Sequence, residues 1–142
     1  MTDTDVSHSQ SEKSLRVLIV DDYPDAADSL ALLLRIWGHD VCVCRTGQEA
    51  LEEAPSYLPD VALIDLVLPG MDGCHLVTRL RQLDALRRTI FIAVTGLANV
   101  TTTELAIDAG FSLYMLKPFN LEELRAVLAA VPRAQEANAC FV

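Results

Sequence analysis

The feature that most constrains the fold of this chain is a short apolar run that ends in a carboxylate. Residues 61–64 are continuously apolar, Pro59 precedes them, and Asp65 and then Pro69 follow. A short apolar run with such breaks on both sides is typical of a strand buried on both faces of a parallel sheet. Asp65 then stands at the carboxyl end of that strand, which is the edge where open α/β sheets place their ligand sites.

Three further apolar runs end in side chains that can bind or react. Residues 15–20 end in Asp21 and Asp22, residues 90–94 in Thr95, and residues 112–116 in Lys117. The four strand ends therefore offer carboxylates, a hydroxyl and an ammonium group. Because parallel strands end at the same edge of a sheet, we expect these side chains to lie near one another.

Helical spacing of apolar residues separates the strands. The first predicted helix carries Ala26, Leu30, Leu33, Leu34 and Trp37 and ends at Gly38. Thr46 and Glu49 form a capping signature for a helix over residues 48–54, with residues 55–59 as a loop. A third helix carries Leu76, Leu80 and Leu83, and a weak, threonine-rich one spans residues 99–109. Asn120 and Glu123 cap the last helix, whose stripe is Leu121, Leu124, Val127, Leu128 and Val131.

Five strands, counting residues 41–44, alternate with these five helices. This alternation predicts an α/β fold, a doubly wound five-stranded parallel sheet with helices on both faces. The flavodoxin-like strand order 2-1-3-4-5 suits the count and places strands one and three side by side. Asp21, Asp22 and Asp65 would then converge.

Length and composition indicate one compact domain. The 142 residues, 51% of them hydrophobic, suffice for a core that needs no disulfide or metal to fold. Residues 15–131 form the predicted domain. Residues 1–14, rich in Thr, Ser and Asp, are expected to be a disordered leader, and residues 132–142 a C-terminal tail.

Charge and hydropathy exclude several classes of partner. The formal net charge of −9 disfavours nucleic acid, and nothing after the last helix is long enough for a DNA-binding domain. We find no run of about 18 apolar residues that would span a membrane and no signal peptide, so we expect a cytoplasmic protein. Cys42 and Cys44 share one face of a strand and are expected to be reduced core thiols, whereas Cys140 lies in the tail.

Convergent carboxylates suggest the chemistry of the site. Three carboxylates within a few ångströms repel one another unless a cation lies among them, and an all-oxygen site with few protein ligands suits Mg²⁺. A carboxylate can also attack a phosphoryl group to give an aspartyl-phosphate. Lys117 would contribute a positive charge to the phosphoryl oxygens, and Thr95 a hydroxyl donor.

Several motifs together resemble the receiver domain of two-component response regulators, of the kind found in chemotaxis regulators. The motifs, within about residues 15–131, are Val20-Asp21-Asp22, Asp65 followed by Leu68-Pro69-Gly70-Met71-Asp72-Gly73, Val94-Thr95-Gly96 and Lys117-Pro118-Phe119.

The resemblance implies a role for each motif residue. Asp65 would be the phosphoacceptor, with Asp21, Asp22, Asp65 and the backbone carbonyl of Val67 as the Mg²⁺ ligands. Thr95 and Lys117 would bind the phosphoryl group. Thr95 and Tyr114 would form a switch, and the Lys117-Pro118 bond would be cis.

These roles describe a signalling module and not an enzyme. We expect phosphoryl transfer from a sensor histidine kinase or a phosphotransfer protein, and an output to a homodimer or effector through the face formed by residues 99–131. A non-phosphorylated scaffold of the same fold is the alternative. A phosphatase that turns over at Asp65 is a third reading, although it lacks the Asp-x-Asp arrangement that would supply a general acid.

Overall fold

A computed structural model of the chain describes residues 14–96 and 100–134, with side chains at all of these except residues 100–103. Its strands are β1 (Arg16–Val20), β2 (Asp40–Cys44), β3 (Val61–Asp65), β4 (Ile90–Thr95) and β5 (Leu113–Leu116). Its α-helices are α1 (Pro24–Ile36), α2 (Gly47–Tyr57), α3 (Gly73–Arg81), α4 (Val100–Ala109) and α5 (Leu121–Ala130), and a 3₁₀ turn spans Asp84–Leu86.

Some predicted features lie outside the described residues. They are residues 1–13 of the leader, residues 135–142 of the tail with Cys140, and the predicted start of a helix at Asn99. The boundaries of the domain therefore stay predictions. None of the helices within 14–96 and 100–134 is long and apolar enough to cross a membrane.

The sheet has the predicted topology. Its five strands run parallel in the order β2-β1-β3-β4-β5. Val20 pairs with Ile64 across the two central strands, so Asp21 and Asp65, the residues that follow them, emerge side by side. This register brings the reactive groups of two distant parts of the chain to one place.

Strand β3 is enclosed on all sides. The four residues 61–64 are at most 1% exposed, and β1 and β4 hydrogen-bond to the strand on either side. Ala62 and Ile64 pack with the helices of one face, including α2 and α3, and Val61 and Leu63 pack with α1 and α5 on the other. Burial of both faces explains why this run is continuously apolar and not alternating.

Helix α1 packs on the sheet partly through the predicted stripe, since Leu34 is buried and Leu30 and Trp37 are half-buried against the same apolar cluster. Its fully buried side chains are Ala27, Ala31 and Leu34. Of the predicted positions only Leu34 is among them, because small alanines let the helix approach the sheet closely. Leu30 and Leu33 lie one step around the helix and line a cleft beside α5.

Helix α2 is longer than predicted, because it continues through Pro55 to Tyr57 instead of ending at residue 54. A proline in the last turn removes one backbone hydrogen bond, but the next turn can still close. The N–H of Leu58 donates to the carbonyl of Ala54 at 2.9 Å, and Leu58 itself adopts the left-handed conformation with φ 55°. The predicted loop over residues 55–59 is therefore wrong for residues 55–57, which are helical.

Tertiary contacts hold this last turn of α2. The Tyr57 hydroxyl donates to Asp40, and the Arg16 guanidinium lies 4.3 Å from the centre of the Tyr57 ring. The Arg16 Nε also donates to the Tyr57 carbonyl at 2.8 Å. Such contacts between separate elements override the local breaking tendency of a proline.

Both predicted caps form. The Thr46 hydroxyl accepts the N–H of Glu49 at 3.1 Å, and the Asn120 side chain accepts the N–H of Glu123 at 3.0 Å. In α5 the predicted stripe needs one correction, since Leu121 is 51% exposed. It is the first residue of the helix and borders the cleft, so it lies beyond the part of α5 that covers the sheet.

The described cysteines agree with the predicted core thiols. Cys42, Cys44 and Cys74 are free, and Cys42 and Cys44 pack in the same apolar cluster on one face of the sheet. Burial raises the pKa of the Cys44 thiol to about 12, so this group is a neutral thiol at physiological pH.

A buried carboxylate at the amino end of β3 binds two segments that are far apart in sequence, the first strand and the residues after α5. Asp60, only 3% exposed, immediately precedes the strand. One of its oxygens accepts the N–H of Arg16 at 2.7 Å, and the other accepts the N–H of Ala134 at 2.6 Å. Asp60 therefore ties the first strand and the segment after α5 to the base of the sheet.

We expect Asp60→Ala to lower the free energy of unfolding by roughly 3 kcal/mol, because it leaves two buried backbone donors without acceptors. Urea denaturation of the variant and the parent measures the difference. Asp84→Ala is the matched control, since the Asp84 side chain is 95% exposed, and its effect should be small. Equal losses in the two variants would contradict the assigned role of Asp60.

Candidate functional site

The predicted reactive residues meet at the carboxyl edge of the sheet. Asp65 and Thr95 are the last residues of β3 and β4, Asp21 directly follows β1, and Lys117 directly follows β5. The N–H of Lys117 donates to the carbonyl of Thr95 at 2.9 Å, which fixes the turn after β5 against the end of β4. The peptide bond between Lys117 and Pro118 is cis, as the resemblance implies. Four of the five strands thus deliver functional groups to the same edge of the sheet.

Three carboxylates form the acidic part of the site. One oxygen from each of Asp21, Asp22 and Asp65 lies within 4.8 Å of the others. Asp21 is buried, Asp65 half-buried and Asp22 exposed, so the cluster reaches from the core to the solvent. This is the convergence that the strand order predicts, and it is a group of side chains able to hold a metal ion.

Lys117 bridges two of these carboxylates. Its Nζ donates to Asp65 Oδ2 at 2.9 Å and to Asp21 Oδ2 at 3.0 Å. Burial by itself would lower the pKa of Lys117, but the hydrogen bonds and charges of Asp65 and Asp21 outweigh burial and raise the pKa above its ordinary value. The lysine is therefore fully charged at neutral pH and offsets part of the repulsion between the carboxylates.

The second oxygen of each bridged carboxylate accepts a hydrogen bond from the backbone N–H two residues further along the chain. Asp21 Oδ1 accepts the N–H of Tyr23 at 2.9 Å, and Asp65 Oδ1 accepts the N–H of Val67 at 2.9 Å. Each side chain is thus held from two directions, by Lys117 and by the loop that follows its strand. The Oδ2 atoms of Asp21 and Asp65 both accept hydrogen bonds from the Lys117 ammonium group, so neither carboxylate can rotate freely.

The residues of the predicted switch lie on neighbouring strands. Thr95 is 1% exposed and pairs with Leu116, while Ala93 pairs with Tyr114. Because side chains alternate along a strand, Thr95 and Tyr114 point to the same face of the sheet. Tyr114 is half-buried and packs against the apolar cluster beneath that face.

Sequence reasoning missed two features of the site. One is a cleft of about 590 Å³ that opens beside Asp65 and Lys117 and is lined by apolar side chains of α1 and the start of α5, including Leu30, Leu33 and Leu121. The other is the packing of Gly73 against the backbone of Asp65. The sequence signal for the cleft was the number of leucines on α1, which is larger than the side of the helix facing the core requires.

A parallel sheet of this order, with carboxylates and a lysine at its carboxyl edge, is the arrangement of a receiver domain. The family model described as the response regulator receiver domain matches residues 17–129, and the chain belongs to this family.

Relatives of known class agree with this assignment. The transcriptional regulatory protein TrcR of Mycobacterium tuberculosis is 36% identical over 126 residues, which are 89% of this chain and 48% of TrcR. The DNA-binding response regulator MtrA of Mycolicibacterium smegmatis is 36% identical over 121 residues, 85% of this chain and 52% of MtrA. The chain spans about half the length of these relatives.

Solved structures show the same fold. The chemotaxis protein CheY4 of Vibrio cholerae superimposes with a TM-score of 0.79 at 27% identity, over 84% of this chain and 100% of that one. The receiver domain of the sensor histidine kinase PA1611 from Pseudomonas aeruginosa gives a TM-score of 0.75 at 30% identity, over 82% and 95%. The PA1611 structure holds a magnesium ion coordinated in its active-site cleft.

Asp22→Asn should stabilise the fold in the absence of divalent cations. It removes one of three like charges, and at about 5 Å in solvent the repulsion amounts to roughly 1 kcal/mol. Urea denaturation at low and high ionic strength tests this expectation, because salt screens exposed charges and should reduce the gain. Asp28→Asn, a change in an exposed carboxylate paired with Arg45, is the control and should give no gain. A stabilisation that is independent of salt would contradict the electrostatic explanation.

Proposed function

We propose that this chain is a phosphoacceptor module in which Asp65 receives a phosphoryl group from a sensor histidine kinase or a phosphotransfer protein. The observation that carries the proposal is the convergence of Asp21, Asp22 and Asp65, with the ammonium group of Lys117 bound to the first and the last of them. In the transfer, an oxygen of Asp65 forms a bond to phosphorus while the bond between phosphorus and the donor histidine breaks.

The donor set fits Mg²⁺ as the cofactor. Ligand oxygens lie about 2.1 Å from Mg²⁺, so two of them are separated by up to about 4.2 Å, close to the spacing of the three carboxylates. Asp21, Asp22 and Asp65 would hold the ion together with the carbonyl of Val67. When bound, it would neutralise charge between the carboxylates and the incoming phosphoryl group.

Lys117 and Thr95 would receive the phosphoryl oxygens. Lys117 already contacts Asp65 Oδ2, so a group attached to that carboxylate would lie within reach of the ammonium. Thr95 ends the neighbouring strand β4, and its hydroxyl can donate a hydrogen bond. Thr95 lies at the carboxyl end of β4 and Lys117 directly after β5, so the sheet positions both side chains before the reaction.

The cleft beside Asp65 supports a protein as the phosphodonor. It has an apolar wall formed by α1 and the start of α5, and Tyr23 at its border is 61% exposed. An exposed apolar surface that reaches the reactive carboxylate suits a helical partner that presents a phosphorylated side chain.

The output would pass through the face formed by residues 99–131. The described part of this face exposes five large apolar side chains that a protein partner could cover: Leu105, Ile107, Leu113, Leu116 and Leu121. Movement of Thr95 toward a phosphoryl group would free space for Tyr114, which lies on the same side of the sheet. A homodimer or an effector bound to this face would sense the change.

The remaining assignments follow the signalling role. We propose that the chain does not turn over a substrate, and that it acts in the cytoplasm, which suits its free thiols Cys42, Cys44 and Cys74. TrcR and MtrA are named as transcriptional and DNA-binding regulators, but this chain spans half their length. That it makes no contact with nucleic acid therefore stays a prediction, which rests on its net charge of −9.

Incubation with a small phosphodonor and Mg²⁺ should add the mass of one phosphoryl group, and Asp65→Asn should abolish the addition. Intact-protein mass spectrometry is the measurement. Asp72→Asn is the matched control, because Asp72 caps α3 through the N–H of His75 and asparagine caps equally well. Persistence of the added mass in Asp65→Asn, or its loss in Asp72→Asn, would refute the assignment of Asp65.

Hydrogen exchange should report the output face. With Mg²⁺ and beryllium fluoride as a phosphoryl mimic, amide exchange should change over residues 100–116 and stay constant over residues 40–57, because only the first segment contains the switch strand and its neighbouring helix. Asp65→Asn protein under the same conditions is the control. An unchanged exchange pattern over residues 100–116 in the parent protein would place the switch elsewhere.

A further inference from the structure

We propose that the loop between Asp65 and α3, residues 66–72, is held in one conformation by close packing at Gly73 and at Gly47. Gly73 and Met71 are then positioning residues for the phosphoacceptor. The inference rests on the proposed function and adds to it the residues that set the geometry of Asp65 and of the Val67 carbonyl. We call residues 66–72 the bracket loop.

The first contact lies directly behind Asp65. A Cβ atom on Gly73 would lie 2.6 Å from the carbonyl oxygen of Asp65 and 2.8 Å from the Cα of Leu66. Both atoms belong to the backbone at the end of β3, so no side-chain rotation could relieve the overlap. Only glycine allows the start of α3 to approach the phosphoacceptor this closely.

Hydrogen bonds close the loop on the same spot. The N–H of Gly73 donates to the carbonyl of Leu66 at 2.9 Å, and the N–H of Leu66 donates to the carbonyl of Val94 on β4 at 3.0 Å. Asp72 caps the helix that begins at Gly73. The loop therefore leaves the end of β3 and returns to it, and the sheet and α3 fix both of its ends.

The second contact holds the far side of the loop. The half-buried side chain of Met71 lies over Gly47, the first residue of α2, where a Cβ would be 2.8 Å from the Met71 sulfur. Gly47 is buried, because the Met71 side chain fills the space that a side chain at position 47 would occupy. The loop is thus held between the starts of two helices.

These contacts bear on the chemistry through Val67. The N–H of Val67 binds Asp65 Oδ1, so any displacement of the bracket loop moves the reactive carboxylate and the Val67 carbonyl together. A Cβ at Gly73 would require a shift of several tenths of an ångström in this backbone. Small displacements of reacting groups reduce rates strongly, by up to about a hundredfold for 1 Å.

Gly73→Ala, Met71→Ala and Gly38→Ala, compared with the parent, test the proposal. Gly38 has φ +100°, a Cβ atom there would have nothing within 4 Å, and the residue follows α1 at the opposite edge of the sheet. Its substitution strains the fold without touching the site, which makes it the control for a general loss of stability. Three quantities are measured: Mg²⁺ affinity by NMR titration of amide shifts, the rate of phosphoryl addition by intact mass, and the thermal midpoint.

We expect Gly73→Ala to reduce both Mg²⁺ affinity and phosphorylation rate by about tenfold or more, and Met71→Ala by about threefold. Gly38→Ala should lower the thermal midpoint and leave both site quantities at parent values. Adding Gly47→Ala to Met71→Ala should cause no further loss at the site, because the two changes remove one contact.

The results separate this inference from the proposed function. If the parent takes up no phosphoryl group, the proposed function fails. If the parent is phosphorylated and Gly73→Ala and Met71→Ala both match Gly38→Ala in Mg²⁺ affinity and rate, the positioning role is overturned while the function stands. If Gly73→Ala does not fold, Met71→Ala, which truncates a half-buried side chain, decides in the same way.

Discussion

The arrangement of this protein depends on the repulsion between three carboxylates gathered at one edge of a sheet. Asp21, Asp22 and Asp65 would separate if their backbones could move, and only a stiff scaffold keeps them within 4.8 Å of one another. The enclosed strand β3, its pairing with β1 and the ammonium group of Lys117 supply that stiffness. A cation held among the three carboxylates would relieve this repulsion.

Much of this could be predicted from the sequence, because the rules involved are local or concern strand ends. The apolar runs gave every strand to within one residue of its observed bounds, and the polar residues that follow them gave the acidic cluster and Lys117. The alternation of strands and helices with right-handed crossovers restricts the sheet to a few orders, and the flavodoxin-like order that suits five strands is the one observed. Thr46 and Asn120 were recognisable as caps because capping needs only a side-chain oxygen three residues before its donor.

The errors arose where contacts between distant segments decide the outcome. Pro55 indicates a helix end, yet Tyr57 is held in the helix by Arg16 and Asp40, which are distant in sequence. The buried stripe of α1 centres on Ala27 and Ala31 because the distance between helix and sheet selects small residues, and spacing alone does not reveal that distance. The approach of Gly73 to Asp65 is likewise invisible in a one-dimensional pattern.

Strand β3 carries a carboxylate at each end, Asp60 at its base and Asp65 at its reactive edge. Its interior is at most 1% exposed, and it is hydrogen-bonded on both sides, so it cannot slide or tilt by itself. We therefore expect a displacement at Asp65 to be resisted along the strand itself. The neighbours of β3 are β1 on one side and β4 on the other, and β4 leads to β5, the outermost strand on that side, where Leu113 and Leu116 are exposed. The strand that ends in the proposed phosphoacceptor is thus the enclosed one, and the proposed output face lies two strands away at the exposed side of the sheet.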